Sequence, residues 1–123
     1  MEAIRELHAS ILQVSGGRSG ENTARLLGAC GRAFQTFGGE QFYATDMEKA
    51  AALFHGIISG HAFVDGNKRT ATITVVLFLA ARNVIGVPSP LQVRLLGELA
   101  VETAASSLPV DDVIEWFHRI LDP

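Results

Sequence analysis

The residues best able to do chemistry stand close together. His61, Phe63, Asp65, Gly66, Asn67, Lys68 and Arg69 fall within nine consecutive positions. A Gly-Asn turn that feeds straight into a helix leaves several backbone N–H groups without partners at the helix N-terminus, and such a terminus attracts an anion. Lys68 and Arg69 stand in that first turn, where the helix dipole disfavours cations. Two cations at the wrong end of a dipole imply a multiply charged anion. Asp65 offers the hard oxygen ligand that Mg²⁺ takes when phosphates complete its shell. His61 is the side chain best suited to accept a proton near neutral pH. Base, metal ligand, anion cradle and arginine together describe phosphoryl or nucleotidyl transfer. Taken singly, each has a plainer reading: a surface histidine, an Asp-Gly turn, a solvated basic pair. The set within nine positions carries the chemistry.

This segment must be held between helices. Upstream, Thr45-Asp-Met-Glu48 matches a capping box, and Met47, Ala50, Ala51, Phe54 and Ile58 form one helical stripe behind it. Downstream, residues 70–82 are apolar on almost every side and run without a breaker. Their β-branched content favours a strand on propensity alone, but their length and lack of a long partner favour a helix. Apolar all round, that helix is expected at the centre of the fold, surrounded by the others. Ile4, Leu7, Ile11 and Val14 predict a first helix over 2–14, ended by Gly16-Gly17. A short helix is expected over Glu21–Phe34, with Leu26, Leu27 and Phe34 facing inward. Thr36–Tyr43 reads as a hairpin-like excursion turning at Gly38-Gly39. Ser89-Pro90 opens a helix with Leu91, Leu95 and Leu99 at a spacing of four. Val113, Trp116, Phe117, Ile120 and Leu121 give the last helix an apolar face.

The architecture expected is therefore all-α: one domain over 1–123, about six helices around a buried central helix, and a short hairpin. The chain has 123 residues, 48% of them apolar and 19% charged, enough for one core and unlike a disordered tail. A net charge of −3 argues against a general nucleic-acid binder, which needs a basic face. A single cysteine, Cys30, excludes an internal disulfide and reads as a packing residue. The amphipathic, mixed-charge N-terminus resembles no secretory signal, and no apolar run is long enough to span a bilayer, so a cytoplasmic protein is expected. His55 and His61 are six apart and lack a third ligand for zinc. His8 and His118 read as structural and Trp116 as core; Arg18, Arg25 and Lys49 could add to a basic rim for ATP but read better as solvated surface.

The loop resembles the signature of the Fic/Doc family, H-x-F-x-[DE]-[GA]-N-x-R, over His61, Phe63, Asp65, Gly66, Asn67 and Arg69. The surroundings resemble its Doc branch: SGGRSG after the first helix, TFGGEQFY before the capped helix and EKAAALFHGIISGHAF leading into the loop. The likeness is good over roughly residues 4–83 and loose beyond. It implies that His61 deprotonates a protein hydroxyl attacking a nucleotide phosphorus, and that Phe63 anchors the loop. It further implies that Asp65 holds Mg²⁺, that Gly66, Asn67 and Lys68 help cradle the anion, and that Arg69 binds the terminal phosphates of ATP. Phe37, Gly38, Gly39, Glu40, Gln41 and Phe42 would correspond to the flap that holds the target segment by strand addition.

Family members that transfer AMP usually carry Gly after the Asn and a second Arg three residues past the first; here those places hold Lys68 and Thr72. Doc-type toxins share the lysine, bind the nucleotide in reverse and transfer the γ-phosphate, with a threonine of elongation factor Tu as the known target. Gly66 is the more Fic-like residue, where Doc carries alanine. The resemblance thus favours a kinase-like toxin that inhibits translation, with AMP transfer as the alternative and a non-catalytic helical adaptor as a further one. The family is restrained by a helix carrying [ST]-x-x-x-E-[GN]. Of the eight glutamates only Glu21 precedes Gly or Asn, and Gly17 stands four positions before it. Inhibition in trans, by an antitoxin whose disordered segment folds to a helix in a groove, is therefore expected.

Overall fold

The computed structural model describes residues 2–122. Its elements are α1 (Glu2–Ser15), α2 (Thr23–Ala33), β1 (Thr36–Phe37), β2 (Glu40–Gln41), α3 (Asp46–Ser59), α4 (Asn67–Ala81), α5 (Pro90–Ser106) and α6 (Val110–Leu121). The fold is all-α apart from one small antiparallel hairpin. In that hairpin Phe37 pairs with Glu40 across Gly38 and Gly39, both at positive φ, the turn that suits the twist of two strands.

The helices begin where the sequence places their caps. The Thr45 hydroxyl accepts from the Glu48 amide at 3.1 Å, and Glu48 Oε1 accepts in return from the Thr45 amide. Ser89 and Gln92 form a second reciprocal pair at the start of α5, with Pro90 at the first helical position. Asn22 caps α2 through the Arg25 amide. Each cap satisfies donors that the helix cannot.

The helix at the centre is α3, not the apolar segment 70–82. α3 packs against α2, α4, α5 and α6. It buries Met47, Lys49, every residue from Ala50 to Phe54, and Gly56, Ile57 and Ile58. Three alanines and a glycine let neighbours approach on every side, which outweighs the apolar run of residues 70–81. α4 is two-sided: Thr70, Ala71, Thr74, Val75 and Leu79 are buried while Ile73 and Leu77 are exposed. The buried residues of all six helices form one contiguous core, with Phe54 and Phe117 edge to face at its middle.

Several inward assignments are corrected. Leu26 is fully buried but Leu27 is exposed, because adjacent helical positions differ by about 100° and only one can face α3. Phe34 lies beyond the last turn of α2 and is half-exposed, edge-on to Phe78. On α5 the buried stripe is Leu96, Leu99, Ala100 and Thr103, at i, i+3, i+4 and i+7. A spacing of four drifts around the helix, so Leu91 is exposed. Trp116 is 45% exposed at the margin of α6, with Arg119 over its ring. Lys49, expected at the surface, is buried, its ammonium donating to Gln41 and lying 3.9 Å from Asp46.

Candidate active site

α3 ends by placing a histidine where a glycine is usual. Gly60 caps the helix, the His61 amide donates to the Ile58 carbonyl and the Ala62 amide to the Ile57 carbonyl, both at 3.3 Å. This double closure needs a left-handed residue at its turning point, and His61 supplies it with φ +49°. The chain reverses there, and the exposed His61 side chain is thrown clear of the helix end.

The next residues are pinned from three sides. Ala62 and Phe63 are buried. The connection between α1 and α2 runs alongside them: the Asn22 amide donates to the Ala62 carbonyl at 2.8 Å, and the Val64 amide to Gly20 at 3.0 Å. From α1, the His8 ring stacks on Phe63 with centroids 3.8 Å apart. His8 Nε2 donates to the Asp65 carbonyl at 2.6 Å, which fixes its proton on that nitrogen. From α4, the Asn67 amide side chain clasps Phe63 at both ends, accepting from its N–H at 2.9 Å and donating to its carbonyl at 2.8 Å. The Asn67 side chain therefore shapes the loop, and its backbone N–H and second side-chain N–H remain unused.

Asp65 Oδ1 accepts from the Gly66 amide at 2.8 Å and Oδ2 from the Arg18 amide at 3.3 Å. These two amides, with smaller help from the Arg69 and Arg18 charges, hold its carboxyl below the usual carboxylate range. A Cβ on Gly17 would stand 2.9 Å from Asp65 Oδ2, so the close approach of the α1–α2 connection requires glycine there. Gly66, at φ +78°, turns the chain into α4 without a side-chain cap. The amides of Asn67, Lys68 and Arg69 then point out of the helix N-terminus without intrahelical acceptors. Among the described residues Lys68 and Arg69 have no ion-pair partner.

His61, Asp65, Gly66, Asn67 and Lys68 line one hollow of about 170 Å³ together with Ile58, Val64 and Ala104. The expected loop residues are thus brought together, with Arg69 in the adjoining turn. Two further hollows open beside His61 on the α2 side, of about 470 and 400 Å³, and both reach Arg25. A fourth, of about 280 Å³, lies toward His55, Thr103 and Ser107. A larger apolar hollow between α5 and α6, about 590 Å³, holds Trp116 and none of these groups.

The hairpin is not brought to the loop. Phe37 to Phe42 lie at the N-terminal end of α3 and His61 at its C-terminal end, and 14 residues of α-helix span about 21 Å. Other contributors were missed in the sequence. His8 reaches Asp65 across 57 positions, and Ala104 arrives from α5; neither carries a local signal. Gly28 and Arg32 do carry one, since they follow Arg25, which the sequence already offers as a possible basic rim, at i+3 and i+7 on one helix face.

Among the described residues no cluster of three or more His, Cys, Asp or Glu could cage a metal. A divalent ion here would rest on Asp65, ionised and with lone pairs to spare, and on the oxygens of a bound phosphate chain. That donor set suits Mg²⁺. An all-α fold with a free imidazole, one ionised carboxylate and an open helix N-terminus on a single loop is suited to holding a phosphate group beside a base. The model of the Fic/DOC family matches residues 1–79, and the chain belongs to that family. The match ends in the last turn of α4, so α5 and α6 lie outside it. A search of curated proteins finds no match to the chain. Enzymes of this family typically transfer part of a nucleotide, generally ATP with Mg²⁺, to a protein, and many are toxins paired with antitoxins. No helix of the described residues is long and apolar enough to cross a membrane.

Proposed function

We propose that this chain is a cytoplasmic, toxin-like protein kinase. It transfers the γ-phosphate of ATP to a Ser or Thr hydroxyl of a translation protein of the elongation factor Tu kind and so arrests translation. The observation that carries the reading is the convergence of His61, Asp65, Gly66, Asn67 and Lys68 on one small hollow. His61, whose ring has no protein partner, takes the proton of the incoming hydroxyl as its oxygen bonds to the γ-phosphorus. The bond to the bridging oxygen breaks and ADP leaves. The amides of Asn67, Lys68 and Arg69 receive the charge that gathers on the phosphoryl oxygens. The Lys68 and Arg69 side chains hold the rest of the phosphate chain, and Lys68 fills the approach that a small residue would leave to the α-phosphate. Mg²⁺ on Asp65 would neutralise phosphate oxygens.

Restraint is proposed to come in trans, from an antitoxin helix that sets a carboxylate against Arg69. The hairpin can serve as the target flap only for a segment that also spans α3. An extended chain covers about 3.3 Å per residue, so the paired stretch would lie about six residues from the modified hydroxyl.

The test is a paired labelling experiment. Wild type and His61→Ala are incubated with bacterial lysate, Mg²⁺ and ATP labelled at the γ- or the α-phosphate. Label from the γ position on one lysate protein, lost in His61→Ala, is the expected result. Label from the α position makes the chain an AMP transferase and refutes the role given to Lys68. A growth phenotype that survives His61→Ala makes it an adaptor.

A further inference from the structure

The hollow on the α2 side of His61 is not used by the transfer chemistry above. Its lining includes Arg25, Gly28 and Arg32 of α2, Ser59 at the end of α3, Gly60 and His61, in a space of about 470 Å³. Arg32 lies back along α2: a Cβ on Gly28 would stand 3.3 Å from its Nη1, and Cβ atoms on Gly56 and Gly60 would stand 3.5 and 4.0 Å from its Nη2. Three glycines thus give the guanidinium its bed, yet none of its N–H groups is hydrogen-bonded among the described residues. Arg25 is likewise unpaired, and it sits in the first turn of α2, where the dipole disfavours a cation. Glu21, the nearest carboxylate in sequence, is committed elsewhere, forked with Arg5 at 2.8 to 3.1 Å. Two guanidinium groups, ten possible donors between them, therefore face one open cleft that no carboxylate lines.

We propose that this cleft binds carboxylate side chains flanking the hydroxyl of the target protein, so that the chain selects acceptors in acidic segments. The inference rests on the transferase reading and names the acceptor class for it. His61 lines both this cleft and the hollow at the α4 N-terminus. In-line transfer places the attacking oxygen opposite the leaving group, with the base beside it. When the phosphate chain lies on α4, with Asp65 within reach for its metal, the acceptor enters from another side of His61. Of the two hollows on the α2 side, the one lined by Arg25 and Arg32 is cationic, while the other carries Glu21, already paired with Arg5, beside Arg25; the hollow toward Thr103 and Ser107 offers neutral groups and His55. Planar guanidinium forks pair with carboxylates through two parallel hydrogen bonds, so the cleft reads the acceptor's side chains as well as its charge.

The experiment uses the whole chain with both arginines changed together, to Ala and, separately, to Lys. All these side chains are exposed, so the fold is retained. Peptide binding is read without turnover, from the ¹⁵N amide signals of Gly28 and Gly60, on adding the capped peptide Glu-Glu-Ser-Glu or its glutamine analogue. The acidic peptide is expected to shift both signals and the analogue neither. The Arg25→Ala, Arg32→Ala variant is expected to lose that response and about tenfold or more of the lysate labelling, while its Mg-ATP affinity by calorimetry stays within about twofold. The double Lys variant keeps the charge and part of the response. A matching fall in Mg-ATP affinity would make the cleft a subsite for nucleotide phosphates and overturn the proposal. So would equal responses to the two peptides, or unchanged labelling in the Ala variant. If wild type labels nothing from either phosphate, the transferase reading itself fails, which the peptide arm distinguishes.

Discussion

The position of His61 makes a prediction in which stability and activity part company. His61 occupies the left-handed turning point of the helix closure, at φ +49°, a place that an L side chain adopts at a cost of about 1–2 kcal/mol. Replacing it by glycine releases that cost but gives the unfolded chain extra freedom worth about 0.5–1 kcal/mol. The difference favours His61→Gly over His61→Ala by about 0.5–1 kcal/mol. Comparing these two variants is the clean measurement, because both lack the imidazole and any contact it makes. Unfolding entropy of about 2.1 cal/mol/K per residue over 123 residues converts that difference into a rise in Tm of about 2–4 °C.

The assay is calorimetric unfolding of both variants, with label transfer measured alongside. Both are expected to be inactive, since both lack the base, while the glycine variant melts higher. A glycine variant that melts at or below the alanine one would show that residue 61 is not held left-handed in solution. The account of how α3 presents the imidazole would then be wrong. The expected result would mean that the fold bears strain at the one residue that chemistry does not allow to be glycine.

Three other changes test the supports of the loop. His8→Ala removes the stack on Phe63 and the donor to the Asp65 carbonyl; it should lower stability by about 2–3 kcal/mol in urea unfolding and weaken Mg-ATP binding, although His8 touches no substrate. Asn67→Asp keeps an acceptor for the Phe63 amide but turns a carboxylate on the Phe63 carbonyl and toward the anion, and calorimetry should show ATP affinity falling at least as far as in Asn67→Ala. His55, whose Nε2 donates to the Leu108 carbonyl, has its pKa pushed below the ordinary histidine range, first by burial and further by the Arg32 charge. Its neutral form is thus favoured in the folded state, and its contribution is whole above about pH 7 and lost as the unfolded chain takes up the proton first, from about pH 6.5 downward. Urea midpoints should fall over that window in wild type and fall less in His55→Gln.

The loop was legible in the sequence because its chemistry is local: His61, Asp65, Gly66, Asn67 and Lys68 line one hollow, with Arg69 outside its lining, because a turn and one helix N-terminus suffice to gather them. Capped helix starts were legible for the same reason. What the sequence did not reveal depends on distant packing. Residues 70–82 outrank 46–59 in hydropathy, yet α3 became the centre, since burial follows how closely neighbours approach and alanine permits more than valine or leucine. The family resemblance implies the target role of the hairpin and draws it from its position along the chain. That position says nothing about which end of α3 it occupies, and the structure sets it a helix length from His61. Trp116 was assigned to the core by size and periodicity, but the stripe on α6 is only wide enough for Val113, Phe117 and Leu121.

The distribution of charge ties these observations together. Arg5, Lys49, Arg82 and Arg119 each have a carboxylate partner within 4.0 Å. Arg18, Arg25, Arg32, Lys68, Arg69 and Arg94 have none among the described residues. All but Arg94 of this unpaired group border the loop or the cleft beside it. A chain with net charge −3 has thus gathered most of its unpaired positive charge around one imidazole, while its remaining cations other than Arg94 have carboxylate partners. Unpaired charges of one sign bordering the same loop sum into a local field that draws anions to that face. An overall acidic balance does not weaken a site of this size. The family's nucleotide requires such a field on the α4 side of His61. Its continuation on the α2 side, over a bed of glycines, is the feature that the proposed acidic acceptor explains.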